Sequence, residues 1–252
     1  MILHKLFLKT ANALISLIII ICLLVVGLYS VYALWDNHRI YQAAENVQAD
    51  MLEFKPDVER PSFRELYAIN KDICAWVSLD QTDIDHPIVQ GDTNLTYVNK
   101  DIYGNFALAG SIFLDTRCDN SFRDTYSLLY GHHMVESRMF GDLELYKDKA
   151  FFDNNKSGVL ILPDRAYDLE IFACMLVPAS EDMIFEPGMH QGSIDALLDY
   201  AEDESVQYSR EVAAKAASDE DPKILSLTTC SEEYTDARTI VLARMTLHKS
   251  AE

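Results

Sequence analysis

The chain has 252 residues, 49% of them hydrophobic, which is enough for one sizeable core plus an accessory segment but not for two domains of comparable size. Its formal net charge of −19 excludes the basic surface that a nucleic-acid binder needs to neutralise phosphates. It contains no Gly-rich phosphate loop, zinc-type cysteine spacing or aspartate-rich calcium loop, so nothing calls for a cofactor or a metal.

Residues 1–10 carry Lys5 and Lys9 and read as a cytoplasmic N-terminus. Residues 11–34 contain no charged side chain and centre on the run Leu17 to Val26, long enough to cross a bilayer core as one helix. A cleavable signal peptide is the alternative, with Val31-Tyr32-Ala33 as a small-residue cleavage pattern, although the apolar region of such peptides is usually only about 7–15 residues. The lysines before the span and the mixed flank after it (Asp36, Arg39, Glu45, Asp50) predict a single-pass protein of the cell membrane with its larger part outside.

Residues 35–60 are polar and reach Pro56, with Pro61 just beyond, and read as a stalk or membrane-proximal helix; a folded domain is expected over 61–252. Ser62, with Glu65 three residues later, has the pattern of a capped helix start. From Ala75 to Arg117 and from Thr125 to Tyr130, short β-rich runs recur between turn residues, the pattern of a closed antiparallel barrel. Asp142 to Phe152 is more helical. Gly158 to Leu162 and Tyr167 to Pro178 return to strand character. Ile194 to Ala201 has apolar residues at helical spacing, with Glu211 to Ala217 following, so a helical insertion is expected before the last strands.

Ile224-Leu225-Ser226-Leu227-Thr228-Thr229-Cys230 is a strand pattern that ends on a cysteine. Ser231 to Asp236 reads as a hairpin loop, and Arg238-Thr239-Ile240-Val241-Leu242-Ala243 resumes the strand pattern, so Cys230 and Arg238 are expected to face each other across it. A thiol attacks as thiolate and needs a neighbouring imidazole or cation. A second strand-like run, Thr125 to Tyr130, ends in Gly131-His132-His133-Met134, where Gly131 permits a sharp turn and a close approach of another chain. The residues themselves give no reason to prefer His132 over His133. Tyr130 could flank the histidine and Thr228 could offer its hydroxyl to a bound peptide, with ordinary strand packing as the alternative for both. Carboxylates near Cys230 (Glu232, Glu233, Asp236) would oppose thiolate formation, and any of them could pair with Arg238. His86 and His190 sit in polar or Pro-flanked sequence and read as surface residues. Of the remaining cysteines, Cys22 lies in the span, and Cys74, Cys118 and Cys174 read as buried small hydrophobes rather than a disulfide framework.

These residues resemble the sortases, membrane-anchored cysteine transpeptidases of Gram-positive bacteria, and class B among them. Ser226-Leu227-Thr228-Thr229-Cys230 matches the signature Thr-Leu-X-Thr-Cys with serine for the first threonine, which keeps the hydroxyl. Tyr130 to Met134, Met139-Phe140-Gly141-Asp142-Leu143, Phe151-Phe152 and Gly110-Ser111-Ile112-Phe113-Leu114-Asp115 are similar to class B segments, as are Trp76-Val77, Ile84 to Gln90 and Asn94 to Tyr97. The resemblance covers roughly residues 60 to 247. It implies a mainly β fold, a sortase-type closed antiparallel barrel of about eight strands with N-terminal helices and a helical insertion before the cysteine strand. It implies Cys230 as nucleophile, His132 as acid/base and Arg238 as the group that stabilises the oxyanion or positions substrate. The implied substrates are secreted surface proteins with a C-terminal sorting signal of LPxTG or NPxTN type, cleaved after threonine through a thioacyl enzyme. The implied acceptor is an amine of the peptidoglycan precursor lipid II. A hydrolytic cysteine peptidase, a pilin-polymerising sortase using the same site, and an inactive membrane-anchored binding module are the alternatives. No cofactor is implied.

Overall fold

A computed structural model describes residues 2–134, 137–230 and 236–249. It divides into two compact units, Met1–Gln42 and Ala43–Glu252. The described residues of the first are helical, the larger part of a helix α1 that runs over Ile2–Leu52. Its apolar side chains from Leu14 to Leu34 are exposed, and among the described residues α1 is the one helix long and apolar enough to cross a membrane.

In the second unit the last turns of α1 are part of the fold. Met51 is buried in a cluster with Phe63, Leu66, Ile73, Trp76 and Phe113, and the Gln48 side-chain amide donates to the Asp83 carbonyl at 2.7 Å. Helix α2 follows (Arg64–Ile69), then strands β1 (Ile73–Leu79), β2 (Asp85–Val89), β3 (Ile112–Leu114) and β4 (Tyr126–Tyr130). A short hairpin pairs β5 (His133–Met134) with β6 (Arg138–Met139). A 3-10 helix (Gly141–Lys147) and α3 (Lys149–Asn154) lead into β7 (Ser157–Ile161) and the long β8 (Ala166–Pro178). Next come α4 (Asp182–Phe185), a 3-10 turn (Pro187–His190), α5 (Asp195–Glu204), β9 (Ser205–Tyr208) and α6 (Arg210–Ser218). The chain ends in β10 (Ile224–Cys230) and β11 (Ala237–Leu247).

Eight of the strands close into a barrel in the order β11-β10-β4-β3-β2-β1-β7-β8, sealed by β8 on β11, while β9 extends β8 outside the ring. The closed eight-stranded architecture, the N-terminal helices and the helical insertion between β8 and β10 are as the sequence leads one to expect. The barrel is mixed rather than wholly antiparallel: β2 with β3 and β4 with β10 run parallel. Parallel neighbours need long crossovers, which residues 90–111 and the run from β4 through to β10 provide.

β10 is more deeply buried than a strand with a single core face. Every residue from Ile224 to Thr229 is buried, because one face lines the barrel interior and the 3-10 helix over Gly141–Lys147 packs against the strand. The helix start expected at Ser62 differs too: α2 begins at Arg64 after Phe63, with no side-chain cap. Cys74, Cys118 and Cys174 are buried, and none of them is in a disulfide.

Candidate active site

The strand register builds the site. β10 and β11 pair antiparallel with Cys230 opposite Arg238, and on its other side Arg238 pairs with Val177 of β8. β10 also pairs parallel with β4, Thr228 beside Tyr130, and the Gly131 amide continues this ladder by donating to the Thr228 carbonyl at 3.1 Å. His132 and Cys230 therefore each lie two residues beyond the Tyr130–Thr228 pair, at the same end of adjacent strands. Cys230, Arg238 and His132 are thus carried to one rim by three neighbouring strands. The hairpin loop Ser231 to Thr235, with Glu232 and Glu233, lies outside the described residues.

Gly131 is required by close approach rather than by a left-handed backbone. A Cβ there would lie 2.5 Å from Ile112 Cδ1 and 2.6 Å from Phe140 Cδ2, so only glycine lets β4 leave the barrel between those side chains.

The structure distinguishes the two histidines. His132 is half-buried, and its Nε2 lies 2.8 Å from the carbonyl oxygen of Val98. His133 belongs to the β5–β6 hairpin, opposite Met139. Among the described residues the Arg238 guanidinium donates to one group, the Ala237 carbonyl, at 2.9 Å. Asp236 is exposed, and its carbonyl accepts from the Ala179 amide at 3.0 Å. Thr228 is buried, 1% exposed, and its hydroxyl has no partner among the described residues.

Tyr130 opens a polar network that sequence reasoning missed. Its hydroxyl donates to the Asp115 carboxylate at 3.0 Å, and its ring is stacked between Phe113 and Phe185, with centroids at 5.2 and 6.4 Å. Asp115 is fully buried and also accepts from the Asn94 side-chain amide and three times from Arg117, each at 2.9 Å. Burial pushes its carboxyl up, but the Arg117 and Tyr130 hydrogen bonds outweigh this and hold it below the ordinary carboxylate range. Burial first, and the Asp115 charge second, raise the Tyr130 phenol. Arg117 reaches on to Glu186 at 2.8 Å and to the Phe185 carbonyl at 2.6 Å. The helical insertion is thereby pinned to the strand end that carries His132. The signal was present in the segment ending at Asp115, which sequence reading matched to a family without giving its carboxylate a role.

Two histidines correct the sequence reading. His86 is 6% exposed in β2, with Nε2 buried and without a partner among the described residues, and burial lowers it to about 4, against the weaker pull of Asp85. His190 is buried against the Tyr126 ring, centroids 4.7 Å apart, with Nε2 at 2.8 Å from the Met183 carbonyl. Their polar and Pro-containing neighbours suggested loops; β-pairing of Asp85–Val89 and the docking of α4 on β4 bury them instead.

The arrangement carries Cys230, His132 and Arg238 to one rim, and the Tyr130 strand end there is tied through Asp115 and Arg117 to the inserted helical segment. No protein-family model matches the chain. Over 189 residues it is 30% identical to sortase B of Staphylococcus aureus, covering 74% of this chain and 75% of that protein. It is 31% identical to sortase B of Listeria monocytogenes, covering 74% of each. Among solved structures it superposes with a TM-score of 0.66 and 36% identity on a Streptococcus pyogenes class B sortase involved in pilus biogenesis, over 73% of this chain and 97% of that one. On the S. aureus sortase B–substrate complex the TM-score is 0.64 at 26% identity, over 85% and 97%. Relatedness sustained over three quarters of each curated relative, and a barrel shared with the solved enzymes, make this chain a member of the class B sortases, which are cysteine transpeptidases.

Proposed function

We propose that the enzyme cleaves a C-terminal sorting signal of a secreted protein after threonine and passes the acyl group to an amine. The observation that carries this reading is the pair of ladders that set Cys230 opposite Arg238 and beside the strand end of His132. The Cys230 thiolate attacks the threonine carbonyl carbon; a C–S bond forms and the oxyanion is stabilised by the Arg238 guanidinium. His132, as imidazolium, protonates the departing nitrogen when the C–N bond breaks. The incoming amine gives its proton to His132, attacks the thioester, and releases the thiolate. Tyr130 and Thr228 are paired strand positions just beneath this rim; with the Thr228 hydroxyl buried and the Tyr130 hydroxyl bonded to Asp115, their part is to shape the floor under the peptide. The likeness to the S. aureus enzyme solved with its substrate supports a peptide of this kind.

The first acceptor in this reading is an amine of the cell-wall precursor, lipid II. A pilin lysine is the second, favoured by the 36% identity to an enzyme involved in pilus biogenesis. Residues 11–34 are assigned as a signal anchor, with 1–10 cytoplasmic, 35–60 a stalk and 61–252 the extracellular catalytic domain; the exposed apolar stretch of α1 supports this.

The test is mass spectrometry of the full chain in detergent with a small set of threonine-glycine and threonine-asparagine peptides. Glycine, diaminopimelate and lysine peptides serve as acceptors. A threonine-acyl mass on Cys230 that moves to one amine class and is missing in Cys230→Ala is the expected result. Threonine-ended product from Cys230→Ala would sink the mechanism. Release to water alone, whatever the amine, would make the enzyme a peptidase.

A further inference from the structure

We infer that Gly110 is a positioning residue for His132 and acts through the Val98 carbonyl, which commits Nε2 as a donor and leaves Nδ1 as the nitrogen that exchanges protons. The inference rests on the acid/base role proposed above for His132.

A carbonyl oxygen can only accept, so the 2.8 Å contact between Val98 O and His132 Nε2 requires a proton on Nε2 in every charge state of the ring. In the neutral ring the lone pair is then on Nδ1. Acylation consumes a proton from Nδ1 as the C–N bond breaks, and deacylation returns one to Nδ1 from the amine. The Nε2 proton stays on Val98 throughout.

The surrounding loop is organised to present that oxygen. The Tyr97 carbonyl accepts from the Ser111 amide at 3.1 Å, that of Asn99 from the Ala107 amide at 3.1 Å, and that of Lys100 from the Ser111 hydroxyl at 2.8 Å. The loop thus consumes the carbonyls on either side of Val98 and turns the Val98 carbonyl to the histidine. Tyr97 is anchored from beneath, its hydroxyl donating to Asp72 at 2.7 Å and accepting from Asn70 at 2.9 Å.

Gly110 closes this loop, its amide donating to the Ala107 carbonyl at 3.0 Å. Its φ is +61, in the left-handed region, and a Cβ there would stand 2.4 Å from Val98 O and 2.8 Å from Tyr97 O. Both features demand glycine, and the atom a side chain would strike first is the one that holds His132. Any other residue must push the Val98 carbonyl off the ring.

The test uses the full chain in detergent with 15N-labelled histidine, with the His132 signals assigned by their loss in His132→Gln. Long-range proton–nitrogen spectra of the neutral ring report the tautomer directly. The expected result is a single Nε2–H form in the unaltered enzyme. Gly110→Ala and Gly110→Asn are expected to show mixed tautomers and kcat lowered on the order of 100-fold, with KM for the peptide unchanged. Asparagine tolerates positive φ, so matching losses in the two variants would assign the effect to the Cβ contact rather than to backbone strain. An Nδ1–H ring in the unaltered enzyme would overturn the inference, and this result does not depend on either variant folding. So would a folded variant that keeps both the tautomer and kcat. An active His132→Gln would instead overturn the acid/base role and leave the tautomer result standing.

Discussion

The hydroxyl of Tyr130 donates to the buried carboxylate of Asp115 at 3.0 Å, joining the strand that leads into His132 to the arginine that holds the helical insertion. Breaking the pair from either side has different costs. Tyr130→Phe removes one hydrogen bond to a charged group and is expected to lower stability by about 1.5–3 kcal/mol. Asp115→Ala leaves Arg117, Tyr130 and Asn94 without their acceptor and is expected to cost about 3–5 kcal/mol. Chemical denaturation of both variants measures this, and an Asp115 variant no less stable than Tyr130→Phe would refute the network.

Arg117 is the exposed end of the same network. Arg117→Gln is expected to loosen α4, raising KM for the peptide by about tenfold while kcat falls less, because the contacts to Glu186 and the Phe185 carbonyl are lost while the barrel stays intact. Hydrogen exchange over residues 182–190, faster in the variant, is the accompanying readout.

Burial pushes the Cys74 and Cys118 thiols up to about 12, and Cys174 is wholly buried. A thiol-directed methanethiosulfonate reagent is therefore expected to label the folded unit Ala43–Glu252 once, at Cys230, since only a thiolate reacts. Peptide mapping checks this, and labelling of any of the other three at a comparable rate would contradict it.

Two histidines act on stability in opposite directions. His86 has its folded value lowered from 6.5 to about 4, so the unfolded chain takes up the proton first as pH falls. Its stability contribution is complete above pH 6.5 and is lost between there and about 4, to a limit of about 3 kcal/mol. His248 lies 2.7 Å from Asp168 and 3.4 Å from Glu59, and these two raise its folded value. Its contribution is full below the unfolded value and is lost as pH rises through the folded one, worth about 0.5 kcal/mol at this exposed site. Thermal unfolding across pH should show a shallower acid limb for His86→Leu and a smaller neutral-to-alkaline loss for His248→Gln.

Arg238→Ala is expected to lower kcat about 10²–10³-fold, the range for removing an oxyanion donor. Arg238→Lys should fall between, since the charge survives and the planar fork does not. Steady-state peptide cleavage separates this from a pure binding role, in which KM alone would rise.

What could be read from the chain follows how local each feature is. Cys230 and Arg238 are joined by one hairpin, and period-two patterning on both sides carried their pairing. The preference for His132 over His133 rested on resemblance, because the contact that sets His132 apart is to Val98, 34 positions away. Asp115 binds partners on three separate elements, which no spacing along the chain encodes. The polar flanks of His86 and His190 read as surface because burial there comes from packing against distant strands and helices. The antiparallel expectation missed two parallel seams, since strand patterns carry no direction.

The parallel seam between β4 and β10 has a consequence for how the enzyme comes into being. β4 ends at Tyr130 and β10 begins only at Ile224, and closing a loop on that scale comes late in folding. Until the seam closes, the strand end that leads into His132 does not lie beside the one that carries Cys230. On the roles proposed above, the thiol and the imidazole are therefore brought together by the same event that completes the barrel.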